Sequence, residues 1–339
     1  MLIRSSSHSV KFANTYKKDI LNEFLTEYNR VKWELVDYFW NTKITWNNKT
    51  LDIKNNKLDC PNFISTTNIP IKTNLSARAL KLASGEALAI IDSQIAKRRR
   101  QLYILSLRQN SKLQSKIDSN PLVKPTSNNK LWANLDSNCC EYIPTQYYFN
   151  GFLKLKCLGK NYGHIYIPIK QTRHSNKLKK DFVLMTSWNI SNTQVTSRWQ
   201  KESIKSNGTI TLGADQGVTT CLSLSDGQST TKNKDGYDLK SIMDKLNNKK
   251  KGSKSYKRTQ EHRTNYINWS INQLNLDNVK ELRLEKLFQM RSGTRTSSFM
   301  NRWTYTQINT SIRSKCEILG VPVIEQSATY RSQRCSDCA

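Results

Sequence analysis

Apolar residues recur every three or four positions between Lys18 and Trp40. Ile20, Phe24, Tyr28, Val31, Leu35 and Phe39 share one helix face, so the spacing predicts a helix. A short candidate strand, Ser9 to Tyr16, precedes it. From Asn41 to Ile71 the pattern dissolves into a polar, Asn-rich connection. A second helical region is predicted from Leu75 to Ile117, and Asn120 to Asn129, rich in Pro, Ser and Asn, reads as a linker. Beyond it the period changes to two. Phe152 to Lys156, His164 to Lys170 and Phe182 to Trp188 alternate apolar with polar residues between Gly-, Asn- and Lys-rich turns. They predict a small β module, a barrel or sandwich, over Trp132 to Ile204. His164 and His174 fall in it and receive no role.

A third region begins at Gly208. Ile210, Leu212 and Ala214 alternate with Thr209, Thr211, Gly213 and Asp215, so Asp215 ends a strand and Gln216-Gly217 turns the chain into a return strand, Val218 to Ser225. RNase H-like nucleases present their first metal-binding carboxylate this way, although an Asp at a hairpin turn also occurs with no chemistry attached. In Val279 to Glu285, Leu282 and Leu284 face one way and Glu281, Arg283 and Glu285 the other, placing Glu285 at a second strand end. Two parallel strands ending at one sheet edge would let Asp215 and Glu285 share a divalent ion such as Mg2+, as metal-assisted phosphodiester cleavage requires. Without a metal, Glu285 is a strand-end acid near Arg283.

Between these strands runs a basic helical segment, Lys240 to Arg263, including Lys249, Lys250, Lys251, Lys254, Lys257 and Arg258, opposed only by Asp244 and Glu261. It is either a solvated helix or a groove wall that tracks phosphates beside Tyr256, Tyr266 and Trp269. The cluster Lys97, Arg98, Arg99 and Arg100 carries the same two readings. After a basic loop from Arg291 to Arg302, Ile308, Ile312, Cys316 and Leu319 mark a helix closed by Gly320, and Val321 to Gln326 a last short strand.

Charge narrows the function. The chain has 339 residues, with 54 Lys+Arg against 26 Asp+Glu and a net charge of +28. Abundant Lys and Asn fit compositional bias, but the scarcity of acids does not follow from it, and a polyanionic partner is expected. No apolar run approaches the roughly 18 residues of a membrane span, and the first residues lack the apolar core of a secretion signal. Of the eight cysteines, Cys60, Cys139, Cys140, Cys157, Cys221 and Cys316 are scattered as buried thiols would be, and only Cys335 and Cys338 have metal-site spacing.

The tail Tyr330-Arg-Ser-Gln-Arg-Cys335-Ser-Asp-Cys338-Ala339 resembles the start of the zinc ribbon of the TnpB family, transposon-encoded relatives of type V CRISPR effectors. Gly213-Ala-Asp215-Gln-Gly217 is similar to that family's first RuvC motif, and Leu284-Glu285-Lys-Leu287 to its second. The resemblance is specific over 208 to 339 and extends upstream only in order and size. It implies an α+β multidomain chain: residues 1–16 as the first strand of a wedge-like β-barrel domain, 17–125 as a helical recognition lobe, 126–207 as the rest of the wedge, 208–334 as an RNase H-like (RuvC) domain, and 335–339 as half a zinc ribbon.

The implied activity is a guide-RNA-directed DNA endonuclease acting on target DNA in the cytoplasm of a prokaryote or phage host. Asp215 and Glu285 would take Mg2+, and Arg331 and Arg334 would join the nucleic-acid contacts. In the family a second Cys-x-x-Cys and a third RuvC carboxylate follow. Cys335 and Cys338 supply half of a Zn2+ site, so the sequence reads as C-terminally truncated or split, with the remainder on a second polypeptide or in another reading frame. The alternatives are a non-cleaving RNA- and DNA-binding protein and a transposon relic.

Overall fold

The computed structural model describes residues 1–47, 50–53, 71–108, 115, 124–127, 130–217, 219–286 and 304–327. The chain is a mixed α+β protein that divides into two compact units, one of residues 3–201 and one of residues 202–339 together with residues 1–2. Among the described residues no helix is long and apolar enough to cross a membrane.

The N-terminal unit is built on two long helices, α1 (Thr15–Lys43) and α2 (Ala77–Arg108). Asn14 opens α1 by accepting the Lys17 N–H at 3.0 Å, and Ser76 opens α2 by accepting that of Ala79 at 3.0 Å. The apolar face read from the sequence is the buried one: Phe24, Tyr28, Val31 and Leu35 are sealed from solvent. They join one core with strands of two antiparallel sheets. The first sheet has the order β1 (Leu2–Ser9), β9 (Gln194–Lys201), β8 (Val183–Ser191), β4 (Trp132–Leu135). The second is a meander of β5 (Cys140–Pro144), β6 (Gly151–Leu155) and β7 (Ile165–Ile169). A small hairpin, β2 (Ile44–Asn47) and β3 (Thr50–Ile53), follows α1, and the nine-residue α3 (Arg173–Asp181) links β7 to β8.

The opening strand differs from the sequence expectation. It covers Leu2–Ser9, while Ser9 to Tyr16 holds a 3-10 turn and the start of α1. Its inward positions include Ser6 and His8, both buried, so no apolar alternation announces it. His8 is held by contacts of 3.2 Å to the Lys170 carbonyl and 3.1 Å to Ser197 Oγ. Among the scattered cysteines, Cys139, Cys140, Cys221 and Cys316 are buried as expected; Cys157 is exposed.

The C-terminal unit has a four-stranded sheet in the order β11 (Ser223–Leu224), β10 (Ile210–Asp215), β12 (Val279–Lys286), β13 (Val323–Ser327). The β10, β12 and β13 strands are parallel; β11 is antiparallel at the edge. Helices α4 (Leu239–Asn247) and α5 (Lys254–Gln273) connect β10–β11 to β12, and α6 (Tyr305–Leu319) precedes β13. Leu212, Leu282, Leu284, Ile242, Ile267 and Ile308 pack the core between sheet and helices.

Two expectations fail here for local reasons. The return strand expected over Val218 to Ser225 shrinks to Ser223–Leu224. The chain leaves the sheet at Gly217, which lies so close to the Thr220 carbonyl that an added Cβ would stand 2.6 Å from it. The basic segment is two helices rather than one. Gly252, at φ +83°, ends the turn after α4, and Ser253 starts α5 by accepting the Tyr256 N–H at 3.1 Å.

Candidate functional site

The register of β10 on β12 sets the site. Leu212 stands opposite Leu282 and Ala214 opposite Leu284, with all four side chains in the core. Asp215 and Glu285 are therefore the next residues on two adjacent parallel strands. Both leave the sheet at its C-terminal edge and on the face away from the core. Neighbouring strands are about 4.8 Å apart, which places the two residues side by side at that edge. Asp215 is exposed and Glu285 half-buried. On the flanks, Asp215 pairs in register with Ser223 of β11, and Glu285 with Gln326 of β13. Arg283 directs its Nε to Glu281 Oε1 at 2.7 Å, two residues back along the same face from Glu285.

The residue after Asp215 escaped the sequence reading, which gave Gln216 only a turn role. Its side chain is 6% exposed, and neither its amide oxygen nor its amide nitrogen has a hydrogen-bond partner. An unsatisfied buried amide costs about 1–3 kcal/mol, and such groups are rare in folded proteins. No periodicity reports this, because the signal is burial. Carboxylates on one sheet edge are oxygen donors of the kind that hold a hard cation. Among the described residues no cluster of three or more His, Cys, Asp or Glu stands in metal-binding geometry, so the pair has no third acidic member there.

The glycines of the Gly213-Ala-Asp215-Gln-Gly217 run differ in their demands. A Cβ at Gly213 would make only ordinary contact with Ser225, whereas Gly217 has no room for one. Gly217 is thus the position that shapes the turn behind Asp215.

The basic candidates fall into three groups. Lys97, Arg99 and Arg100 are exposed near the C-terminal half of α2, while Arg98 is 8% exposed and sits against the protein. Lys249, Lys250 and Lys251 occupy the turn between α4 and α5. Lys249 donates to Thr259 Oγ1 at 2.9 Å, and Lys250, Lys251, Lys254, Lys257 and Arg258 project into solvent. Arg331, Arg334, Cys335 and Cys338 lie outside the described residues, as does the basic loop from Arg291 to Arg302. Of the aromatics expected beside the phosphate track, Tyr266 is instead a core residue, 3% exposed, donating its hydroxyl to the Thr231 carbonyl at 2.8 Å. Trp269 is 38% exposed, with its ring centroid 6.0 Å from that of Tyr266.

No protein-family model matches the chain, and no curated protein does. Among solved structures the chain is similar to one in the cryo-EM structure of a Cas12f1–sgRNA–target DNA complex. The two share 13% identity over 100% of this chain and 92% of the other, with a TM-score of 0.48.

Proposed function

We propose that the protein is an RNA-guided, DNA-binding protein of the TnpB lineage, with an RNase H-like domain whose edge carboxylates, Asp215 and Glu285, hold a divalent cation for phosphodiester hydrolysis. The single observation that carries this reading is the Ala214–Leu284 register, which brings the two acids to one edge of adjacent parallel strands. The sheet order, with an antiparallel strand beside the first of three parallel ones, agrees with it. The +28 charge and the exposed lysines of the α4–α5 turn supply the electrostatic attraction a nucleic acid needs.

When bound, a Mg2+ ion at this edge supplies Lewis-acid polarisation of a phosphate oxygen and an activated water. The protein's own part is to hold the two carboxylates side by side on adjacent strands, a placement set by the paired, buried Leu212, Ala214, Leu282 and Leu284. A second reading is a non-cleaving binder that holds RNA and DNA through the same exposed basic residues.

The test is to purify the protein from cells expressing its gene and neighbouring transcripts. Retained RNA is measured across a salt series, and DNA matching that RNA is then offered with Mg2+. RNA retention that falls steeply with salt, and DNA nicking lost in Asp215→Ala and Glu285→Gln, support the nuclease reading. RNA-directed DNA retention without nicking identifies the binder. Absence of salt-dependent RNA retention overturns both.

A further inference from the structure

The loop joining β5 to β6, Thr145 to Asn150, is pinned at its base yet displays aromatic rings to solvent. Thr145 and Asn150 close it through a backbone hydrogen bond of 3.1 Å, Thr145 Oγ1 donates to the Phe149 carbonyl at 2.7 Å, and the Tyr142 hydroxyl donates to the Asn150 carbonyl at 2.8 Å. Asn150 Oδ1 accepts the Gln171 N–H at 2.8 Å, tying the loop to the chain after β7. From this fixed base Tyr147 stands 89% exposed and Tyr148 70% exposed.

One ammonium group lies against Tyr148 and a second against the neighbouring Phe12. Lys170 donates to the Tyr148 hydroxyl at 3.0 Å and sits 4.2 Å from the centre of its ring, and Lys11 lies 5.0 Å from the centre of the Phe12 ring. Phe12 in turn packs edge-on against Phe149, at 5.5 Å between centroids.

We infer that this loop binds an unpaired nucleotide of a single-stranded nucleic acid. Tyr147 and Tyr148 stack on bases, and Lys170 and Lys11 beside the loop meet the phosphates. Aromatic faces interleaved with positive charge are how single strands are held, because every base offers a π-face while its backbone repeats the negative charge. A paired base has no free face to offer. The inference rests on the nucleic-acid reading above and gives that reading a second site, in the N-terminal unit.

The experiment titrates the full chain against labelled oligouridylate and oligothymidylate of about ten nucleotides, and against an abasic sugar–phosphate strand of the same length. In the Tyr147→Ala/Tyr148→Ala variant, whose changes are at exposed positions, affinity for the base-bearing strand falls at least about fivefold, while affinity for the abasic strand is unchanged. Tyr147→Phe/Tyr148→Phe restores binding, because stacking needs the ring. A fall with the RNA, the DNA or both supports the site and identifies the strand. Unchanged binding by the alanine variant, or an equal fall with the abasic strand, overturns the inference while leaving salt-dependent nucleic-acid binding intact. Failure of the wild-type chain to bind any strand overturns this inference and the nucleic-acid reading together.

Discussion

Asp215 and Glu285 occupy matching positions on adjacent parallel strands, one step beyond the paired Ala214 and Leu284. Two like charges at that spacing repel, and a bound divalent cation reverses the sign of the interaction. Thermal unfolding should show it. Mg2+ raises the melting temperature of the wild type by the binding free energy it adds, about 1.4 kcal/mol at ten times Kd. Asp215→Asn melts at or above the metal-free wild type and loses the Mg2+ response.

Lys32 and Glu86 form a second, structural pair. Their side chains are 1% and 9% exposed, with Nζ 3.2 Å from Oε2. Tyr28 donates to Glu86 Oε1 at 3.0 Å, the Asn134 N–H donates to it at 2.7 Å, and the ammonium lies 4.0 Å from the centre of the Trp132 ring. Burial pushes the Lys32 ammonium down and the Glu86 carboxyl up from their ordinary values, in each case against the attraction of the partner. Removing one member strands the other. Lys32→Ala is expected to cost about 3–5 kcal/mol in denaturant unfolding, and Lys32→Met combined with Glu86→Gln much less than two single changes added.

Asp238 caps α4, accepting the Ser241 N–H at 2.7 Å while Ser241 returns a hydroxyl bond to the Asp238 carbonyl at 2.9 Å. The bond from the Ser241 N–H, first among its causes, holds the Asp238 carboxyl below the ordinary carboxylate range. A depressed folded value means that its contribution is present above the unfolded value and is lost as pH falls through the folded one. Asp238→Ala therefore costs about 1 kcal/mol at neutral pH. The difference shrinks in acid, as chemical denaturation at a series of pH values would record. Asp238→Asn keeps a cap without that pH dependence.

Gly320 closes α6 at φ +72°, and a Cβ there would collide with the Ile204 carbonyl. Its own carbonyl accepts the Ser206 N–H at 2.9 Å. Gly320→Ala suffers both left-handed strain and overlap, and unfolding measurements should give a loss above the roughly 1 kcal/mol of an ordinary glycine replacement.

The sequence made some of this plain and hid the rest for physical reasons. Alternation exposed β10 and β12 because Leu212, Leu282 and Leu284 face a dry core, and Gly320 marked the end of α6. The same pattern put Asp215 and Glu285 at strand ends, but alternation does not say which strands pair or in which direction, and the parallel register is seen only in the fold. The strand β1 was hidden because Ser6 and His8 take inward positions that apolar residues usually fill, their polarity satisfied by Ser197, Thr172 and Lys170. The break between α4 and α5 was hidden because a run of lysines looks equally helical and looped until Gly252 is seen in the left-handed region. Gln216 and the Tyr147–Tyr148 loop were invisible for a third reason: one is defined by burial without a partner and the other by exposure, and neither leaves a periodic trace.

The most direct measurement of the central claim replaces Mg2+ with Fe2+ in the purified protein and generates hydroxyl radicals at the bound metal, which cut the polypeptide beside its ligands. The account predicts cuts next to Asp215 and next to Glu285, suppressed together by excess Mg2+ and absent in Asp215→Asn. Cuts elsewhere only, or cuts at these strand ends that persist in that variant, would contradict it.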